Sequence, residues 1–172
     1  YNHALKMGAD IVVMLHPDYQ YDPRIIPDLT APIKEGEADV VLASRMIGSP
    51  LAGGMPLYKF IFNKILTWIE NRILGTHLSE FHTGYRAFSR DALAGIQFSL
   101  NSNDFIFDNE IIIQLLNKGF RFKEIPVVTR YAEDSSSVGF ITSLRYGLGI
   151  LRTLARYILH KWGIKPTPQF SE

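Results

Sequence analysis

Two apolar runs of the same build constrain this chain more than any other feature: ADIVVMLH, ending at His16, and ADVVLASR, from Ala38 to Arg45. Each is short, rich in β-branched residues and ends abruptly in polar side chains, the pattern of a strand buried on both faces of a sheet. Between them Asp22-Pro23 is a helix start, because the carboxylate caps free amides and proline suits the first helical position. The stretch RIIPDLTAPIKEG that follows is expected to be helical in pieces. Pro27 and Pro32 each remove a backbone donor, and Gly36 ends it. Strand, helix, strand predicts a parallel pair joined by a right-handed crossover.

The 172 residues suffice for one compact α/β domain, and 47% hydrophobic with 20% charged residues is ordinary globular composition. A net charge of +1 argues against a nucleic-acid binder that relies on a general positive field. The absence of cysteine removes disulfides, a thiolate nucleophile and cysteine-ligated zinc. No signal peptide and no apolar run of spanning length is visible. The chain starts at Tyr1 with YNHALKMGAD, which reads as the tail of a helix feeding a strand, so it is expected to be the later part of a longer polypeptide.

Further along, a helix is expected over Leu57 to Leu74, stopped by Gly75. Lys59, Asn63, Thr67, Glu70 and Asn71 recur at helical spacing as one polar stripe. Phe60, Ile61, Phe62, Ile65, Leu66, Trp68, Ile69 and Ile73 cover the rest, and so wide an apolar face needs either the core or a lipid surface. Strands are expected within FHTGYRAFSR (Phe81 to Arg90) and RFKEIPVVTRY (Arg121 to Tyr131), with a helix from Phe107 to Lys118 between them. The last helix, Ile141 to Trp162, carries Arg145, Arg152 and Arg156 within a stripe about 40° wide on an otherwise apolar surface. That pattern suits an interfacial anchor on anionic lipid, and it equally suits a core helix with a solvated arginine edge. A boundary is accordingly expected at 140/141, between a 1–140 domain and a basic, amphipathic 141–172 tail.

Ligands of parallel sheets sit beyond the carboxyl ends of the strands, where Asp18 and Arg45 fall. Asp18 offers a carboxylate to a hard divalent cation, Gln20 an amide oxygen, and His16 an imidazole nitrogen that suits Mn²⁺ better than Mg²⁺. An Asp18 that only caps its turn explains the cluster as well. Arg45, Arg86 and Arg130 each lie at or near a strand end, where guanidinium forks can hold phosphate oxygens. Asp108 and Glu110, in FDNE, open a helix, either complementing its dipole or serving as a general base.

The order LHPDYQYDP, VVLASR, GGMP with an aromatic-rich helix, HTGYRAFSR, FIFDNE and KEIPVVTRY with a serine cluster resembles the family 2 glycosyltransferases. The nearest branch is that of the dolichyl- or polyprenyl-phosphate sugar synthases, and the likeness runs from Tyr1 to about Tyr157. It implies a GT-A fold, a nucleotide-sugar transferase sandwich with a mixed, mainly parallel sheet, here without its N-terminal strands and with an unpaired edge on its first strand. It implies Mg²⁺ or Mn²⁺ on Asp18, with His16 standing where the family usually has a first acid and Gln20 approaching the ion. It places Arg45 and Arg86 near the phosphates, and Arg130 with Ser135 and Ser136 on a loop that closes over them. The implied partners are a nucleoside diphosphate sugar, a polyprenyl phosphate and an anionic membrane surface, with the protein peripheral to the membrane on its cytoplasmic face. The implied activity is inverting, metal-dependent hexosyl transfer, Asp108 being the base if the acceptor is a hydroxyl. The alternatives are a lipid- or polysaccharide-linked sugar hydroxyl as acceptor, or a catalytically dead scaffold module. The fragment alone is expected to be inactive.

Overall fold

In the computed structural model, whose described residues are 1–17, 20–129 and 140–171, four strands form one sheet in the order β1-β3-β2-β4. Helix α1 (Asn2–Lys6) leads into β1 (Ile11–Met14). A 3₁₀ turn, Pro23–Ile25, then feeds α2 (Ile26–Lys34). The Asp22 carboxylate caps this entry by accepting from the Arg24 N–H at 2.9 Å, as the Asp-Pro signal predicts. Pro27 sits in the first turn of α2, where no donor is needed, and Pro32 is buried inside it, so the helix is one piece rather than several. Strand β2 (Val40–Ser44) follows and is buried along its whole length.

The expected parallel direction of β1 and β2 holds, but they are not neighbours. Strand β3 (Arg86–Ser89) lies between them, antiparallel to both, with Val13 opposite Ala87 on one side and Ala87 opposite Val41 on the other. Strand β4 (Phe122–Pro126) pairs parallel with β2, Leu42 facing Glu124. Among the described residues nothing pairs with the outer edge of β1, the edge the sequence reading leaves open.

The remaining helices are α3 (Leu57–Leu74), α4 (Arg90–Ala94), α5 (Phe107–Asn117) and α6 (Phe140–Lys161). Gly75 ends α3 in the left-handed conformation (φ 69°), which a residue without Cβ adopts without strain. One sheet face buries Val40, Leu42 and Phe88 against Ile111, Ile112 and Leu115 of α5. The other buries Val41, Ala43 and Ala87 against Leu29 of α2. Cutting a fully buried side chain such as Leu42 or Ile112 back to alanine would cost about 2–5 kcal/mol.

Helix α6 is not detached from this body. Ile150, Leu154 and Tyr157 are buried with Leu66 of α3, Ile113 of α5 and Phe170 beyond α6. Gly147 permits the approach, since a Cβ there would stand 2.9 Å from the Phe62 ring.

The polarity of α3 is the reverse of what its composition suggests. Asn63, Thr67 and Glu70, the polar stripe, are buried, whereas Ile65 is 52% and Trp68 67% exposed. An apolar-out helix of this kind arises when the inward face must serve polar partners, and those partners are in the site.

Candidate functional site

A cavity of about 360 Å³ opens at the carboxyl ends of β1 and β2. Its walls include His16 and Gln20 after β1, Arg45 after β2, Lys59 and Asn63 of α3, His82 to Gly84 and Arg86 before and in β3, Asp108 of α5 and Tyr146 of α6. Residues distant in the chain therefore meet at one mouth, because β1 and β2 end where the antiparallel β3 begins, and α3, α5 and α6 add side chains there.

Arg45 is held rather than dangling. Its Nε donates to Glu80 Oε1 at 2.8 Å, its backbone N–H to Glu80 Oε2 at 2.8 Å, and its Nη2 to Glu80 and to the His82 carbonyl at 3.1 Å. Glu80 is fully buried and also accepts from Asn63 Nδ2 at 2.8 Å. Burial would push this carboxyl up, but the Arg45 charge and the hydrogen bonds from Arg45 and Asn63 outweigh it and hold it below its ordinary range. Asn63 of α3, itself bonded by the Thr67 hydroxyl at 3.2 Å, thus grips Glu80, which fixes the guanidinium plane of Arg45.

Arg86 is 1% exposed and braced by backbone carbonyls: Nε to Thr83 at 2.7 Å, Nη1 to Asp108 at 2.7 Å and Nη2 to Phe81 at 3.0 Å. A guanidinium has five N–H donors, so it can staple this loop and still present donors to the cavity. Lys59 adds a third cation whose ammonium is pushed down by burial and by Arg45.

His16 lies over Gly84, where an added Cβ would come within 3.0 Å of the imidazole. The same turn is tied to the loop after β1 by Tyr21, whose hydroxyl accepts from the Gly84 N–H at 3.2 Å. Asp18 falls outside the described residues, as do Arg130, Ser135 and Ser136. Among the described residues no three His, Cys, Asp or Glu side chains cluster closely enough to hold an ion. His16 and Gln20 bring a neutral nitrogen and an amide oxygen to the cavity, a donor pair that fits a divalent cation only if a carboxylate such as that of Asp18 completes it.

The two acids of FDNE part company. Asp108 lines the cavity. Glu110, expected near the reacting centre, is turned away: it is 2% exposed, accepts from the Ser102 N–H at 2.7 Å and the Ser102 hydroxyl at 3.0 Å, and lies 3.5 Å from Arg156. Both acids stand in the first turn of α5, but two residues apart on a helix is about 200° around its axis, so they point to opposite sides. Arg156, half-buried, is thus engaged with Glu110 and also donates to Gln169 Oε1 at 3.0 Å, while Arg145 and Arg152 are exposed.

The residues that sequence reasoning passed over are His82, Glu80, Glu70 and Tyr146. His82 stands inside the HTGYR motif, and Glu70 belongs to the polar stripe of α3; both were legible as patterns without being legible as partners.

The sequence model of the Glycosyl transferase family 2 matches residues 2–96, more than half of the chain and all of the segments that carry β1, β2, α3 and the HTGYR turn. The chain belongs to glycosyltransferase family 2. Among curated relatives of this family, the low-salt glycan biosynthesis hexosyltransferase Agl6 of Haloferax volcanii is 31% identical over 134 residues, 77% of this chain and 32% of its own length. The UDP-N-acetylglucosamine–dolichyl-phosphate N-acetylglucosaminyltransferase of Methanococcus voltae is 29% identical over 151 residues, 88% of this chain and 59% of its own. The polyprenol monophosphomannose synthase of Mycolicibacterium smegmatis is 23% identical over 166 residues, 96% of this chain and 59% of its own. The chain thus spans well under two thirds of the length of these family 2 relatives. Its α/β architecture with a mixed four-stranded sheet is that expected of the family's GT-A fold.

Proposed function

We propose that this chain forms the acceptor-side part of an inverting hexosyltransferase that moves a sugar from a nucleoside diphosphate to a polyprenyl phosphate at the cytoplasmic face of a membrane. The observation that carries this reading is the convergence of Arg45, Arg86, Lys59 and Asp108 on one cavity at the strand ends. Fixed cations in a partly enclosed site stabilise phosphoryl oxygens far better than mobile ones in water. Two of the relatives bear names that specify a polyprenyl or dolichyl phosphate, which agrees with this acceptor.

In the reaction an acceptor phosphate oxygen attacks the anomeric carbon. The new C–O bond forms as the bond from that carbon to the diphosphate oxygen breaks, and the nucleoside diphosphate leaves with the electron pair. An acceptor phosphate is already anionic, so no base is required, and Asp108 then positions the reacting groups. In-line displacement inverts the anomeric centre. Arg45, held in one plane by Glu80, orients the acceptor phosphate, and Arg86 supplies charge from the cavity floor. A Mg²⁺ or Mn²⁺ ion on Asp18, with His16 or Gln20, would neutralise the leaving diphosphate.

A membrane location is supported by the outward faces of two adjoining helices. Leu57, Ile61, Ile65 and Trp68 of α3 and Ile141, Leu144, Leu148 and Leu151 of α6 are all at least 40% exposed. No described helix is long and apolar enough to cross a membrane. Large apolar rows beside exposed arginines fit a helix lying in the headgroup boundary. The test of the metal is Asp18→Asn in the intact protein, which should abolish transfer while leaving the fold in place. Unchanged turnover in saturating Mn²⁺ would remove Asp18 from the mechanism.

A further inference from the structure

A buried chain of polar groups runs from α3 through the HTGYR turn to α6 and ends at the cavity. Glu70 is fully buried; its Oε1 accepts from Asn109 Nδ2, and its Oε2 lies 3.0 Å from His82 Nε2. His82 Nδ1 lies 3.2 Å from the Tyr146 hydroxyl, and both residues line the cavity. Every contact here joins residues far apart in the chain.

The chemistry of the partners orders the protons. Glu70 Oε2 and His82 Nε2 stand 3.0 Å apart, and neither has another hydrogen-bond partner among the described residues. A carboxylate only accepts, so the tautomer that suits this contact carries its hydrogen on Nε2. In a neutral imidazole Nδ1 is then a lone pair, and the tyrosine O–H donates to it. The remaining lone pairs of the tyrosine oxygen are left to the cavity. Burial, reinforced by the Glu70 charge, pushes the Tyr146 hydroxyl up, so it keeps its proton at neutral pH. The other charged groups about His82 and Tyr146 are Arg45, whose Nη2 is bonded to the His82 carbonyl, Glu80 behind it, Arg86 and Asp108. The arginines already furnish donors suited to phosphate oxygens. A neutral acceptor beside them suits a different group, a sugar hydroxyl.

We propose that Glu70 and His82 are positioning residues that set the Tyr146 oxygen as a hydrogen-bond acceptor for a hydroxyl of the transferred sugar. This rests on the proposed function and assigns, within that site, a determinant of sugar recognition. A chain of buried polar contacts that only holds α6 to the core would make no distinction between a nucleotide with its sugar and the same nucleotide without it.

The experiment measures binding of UDP-glucose, UDP-N-acetylglucosamine and GDP-mannose to the intact protein, with UDP and GDP as sugar-free controls. Histidine-labelled protein is followed in parallel by long-range nitrogen–proton NMR. Tyr146→Phe is expected to weaken the preferred nucleotide sugar about five- to tenfold, the worth of one neutral hydrogen bond, and to leave the free nucleotide unchanged. Glu70→Gln should produce the same selective loss and move the His82 proton from Nε2 to Nδ1. Equal losses for sugar-bearing and sugar-free nucleotides, no loss in either, or an Nδ1–H tautomer in the unaltered protein would overturn the inference alone. Failure of the unaltered protein to bind any nucleotide sugar would overturn the proposed function, and this inference with it.

Discussion

Glu80, with no exposed surface, receives both the backbone N–H and the Nε of Arg45 at 2.8 Å, so one buried carboxylate fixes both the chain direction and the guanidinium plane at the end of β2. This pairing links the buried stripe of α3 to the cation that faces the cavity. Its consequences for stability are measurable.

Because its folded carboxyl is held below its ordinary value near 4.5, Glu80 contributes stability that is complete above that pH and is lost as acidification passes through the lowered folded value. Glu80→Gln should therefore remove about 3 kcal/mol at neutral pH, the scale of a broken buried ion pair. It should also flatten the acid limb of the stability curve. Urea melts between neutral pH and pH 3 measure both; an unaltered acid limb would mean that the pair is not what holds Arg45.

The reversed polarity of α3 separates folding from surface docking. Trp68→Ser and Ile65→Ser, at exposed positions, should change stability by no more than about 0.5 kcal/mol, whereas Leu66→Ala, 6% exposed, should cost about 2–5 kcal/mol. Flotation with lipid vesicles should show the opposite ranking, the two serine variants losing association and the correctly folded fraction of Leu66→Ala keeping it.

The arginine stripe of α6 is divided by the fold. Arg145 and Arg152 are exposed, while Arg156 meets Glu110 and Gln169. Replacing Arg145 and Arg152 together by glutamine should weaken binding to phosphatidylserine vesicles by about 2 kcal/mol, roughly thirtyfold. Arg156→Gln should leave that binding in place and lower the melting temperature instead.

Gly84 offers a probe of the loop after β1. A Cβ there would press on the His16 ring from 3.0 Å, so Gly84→Ala should displace the imidazole. Isothermal titration with Mn²⁺ is expected to show weaker binding in this variant; an unchanged affinity would take His16 out of any metal site.

Much of the architecture was legible because its signals are local. The apolar runs of β1 and β2, the Asp22-Pro23 entry and the Gly75 stop of α3 each announce an element over a few residues. The place of β3 was not, since insertion of one strand between two others depends on pairings such as Val13 with Ala87 that no short window contains. The facing of α3 was misleading for a physical reason: counting apolar residues assumes an apolar interior, and this helix turns Asn63, Thr67 and Glu70 inward to serve Glu80, Asn109 and His82. Of the candidate site, His16, Gln20, Arg45, Arg86 and Asp108 are brought to one cavity, and Glu110 is not. The Glu70–His82–Tyr146 chain escaped notice because its members are separated by strands and helices, and only their contacts identify them.

Under the proposed function this cavity delivers a sugar to a lipid phosphate. The direct measurement is transfer of radiolabelled hexose from UDP-glucose, UDP-N-acetylglucosamine and GDP-mannose by the intact protein, offered polyprenyl phosphate and a glycan acceptor together. Label is expected in an acid-labile, lipid-extractable product, with a sharp fall for Arg45→Lys, which cannot form the bidentate contact. Label found only on the glycan, or lipid labelling indifferent to Arg45, would contradict it.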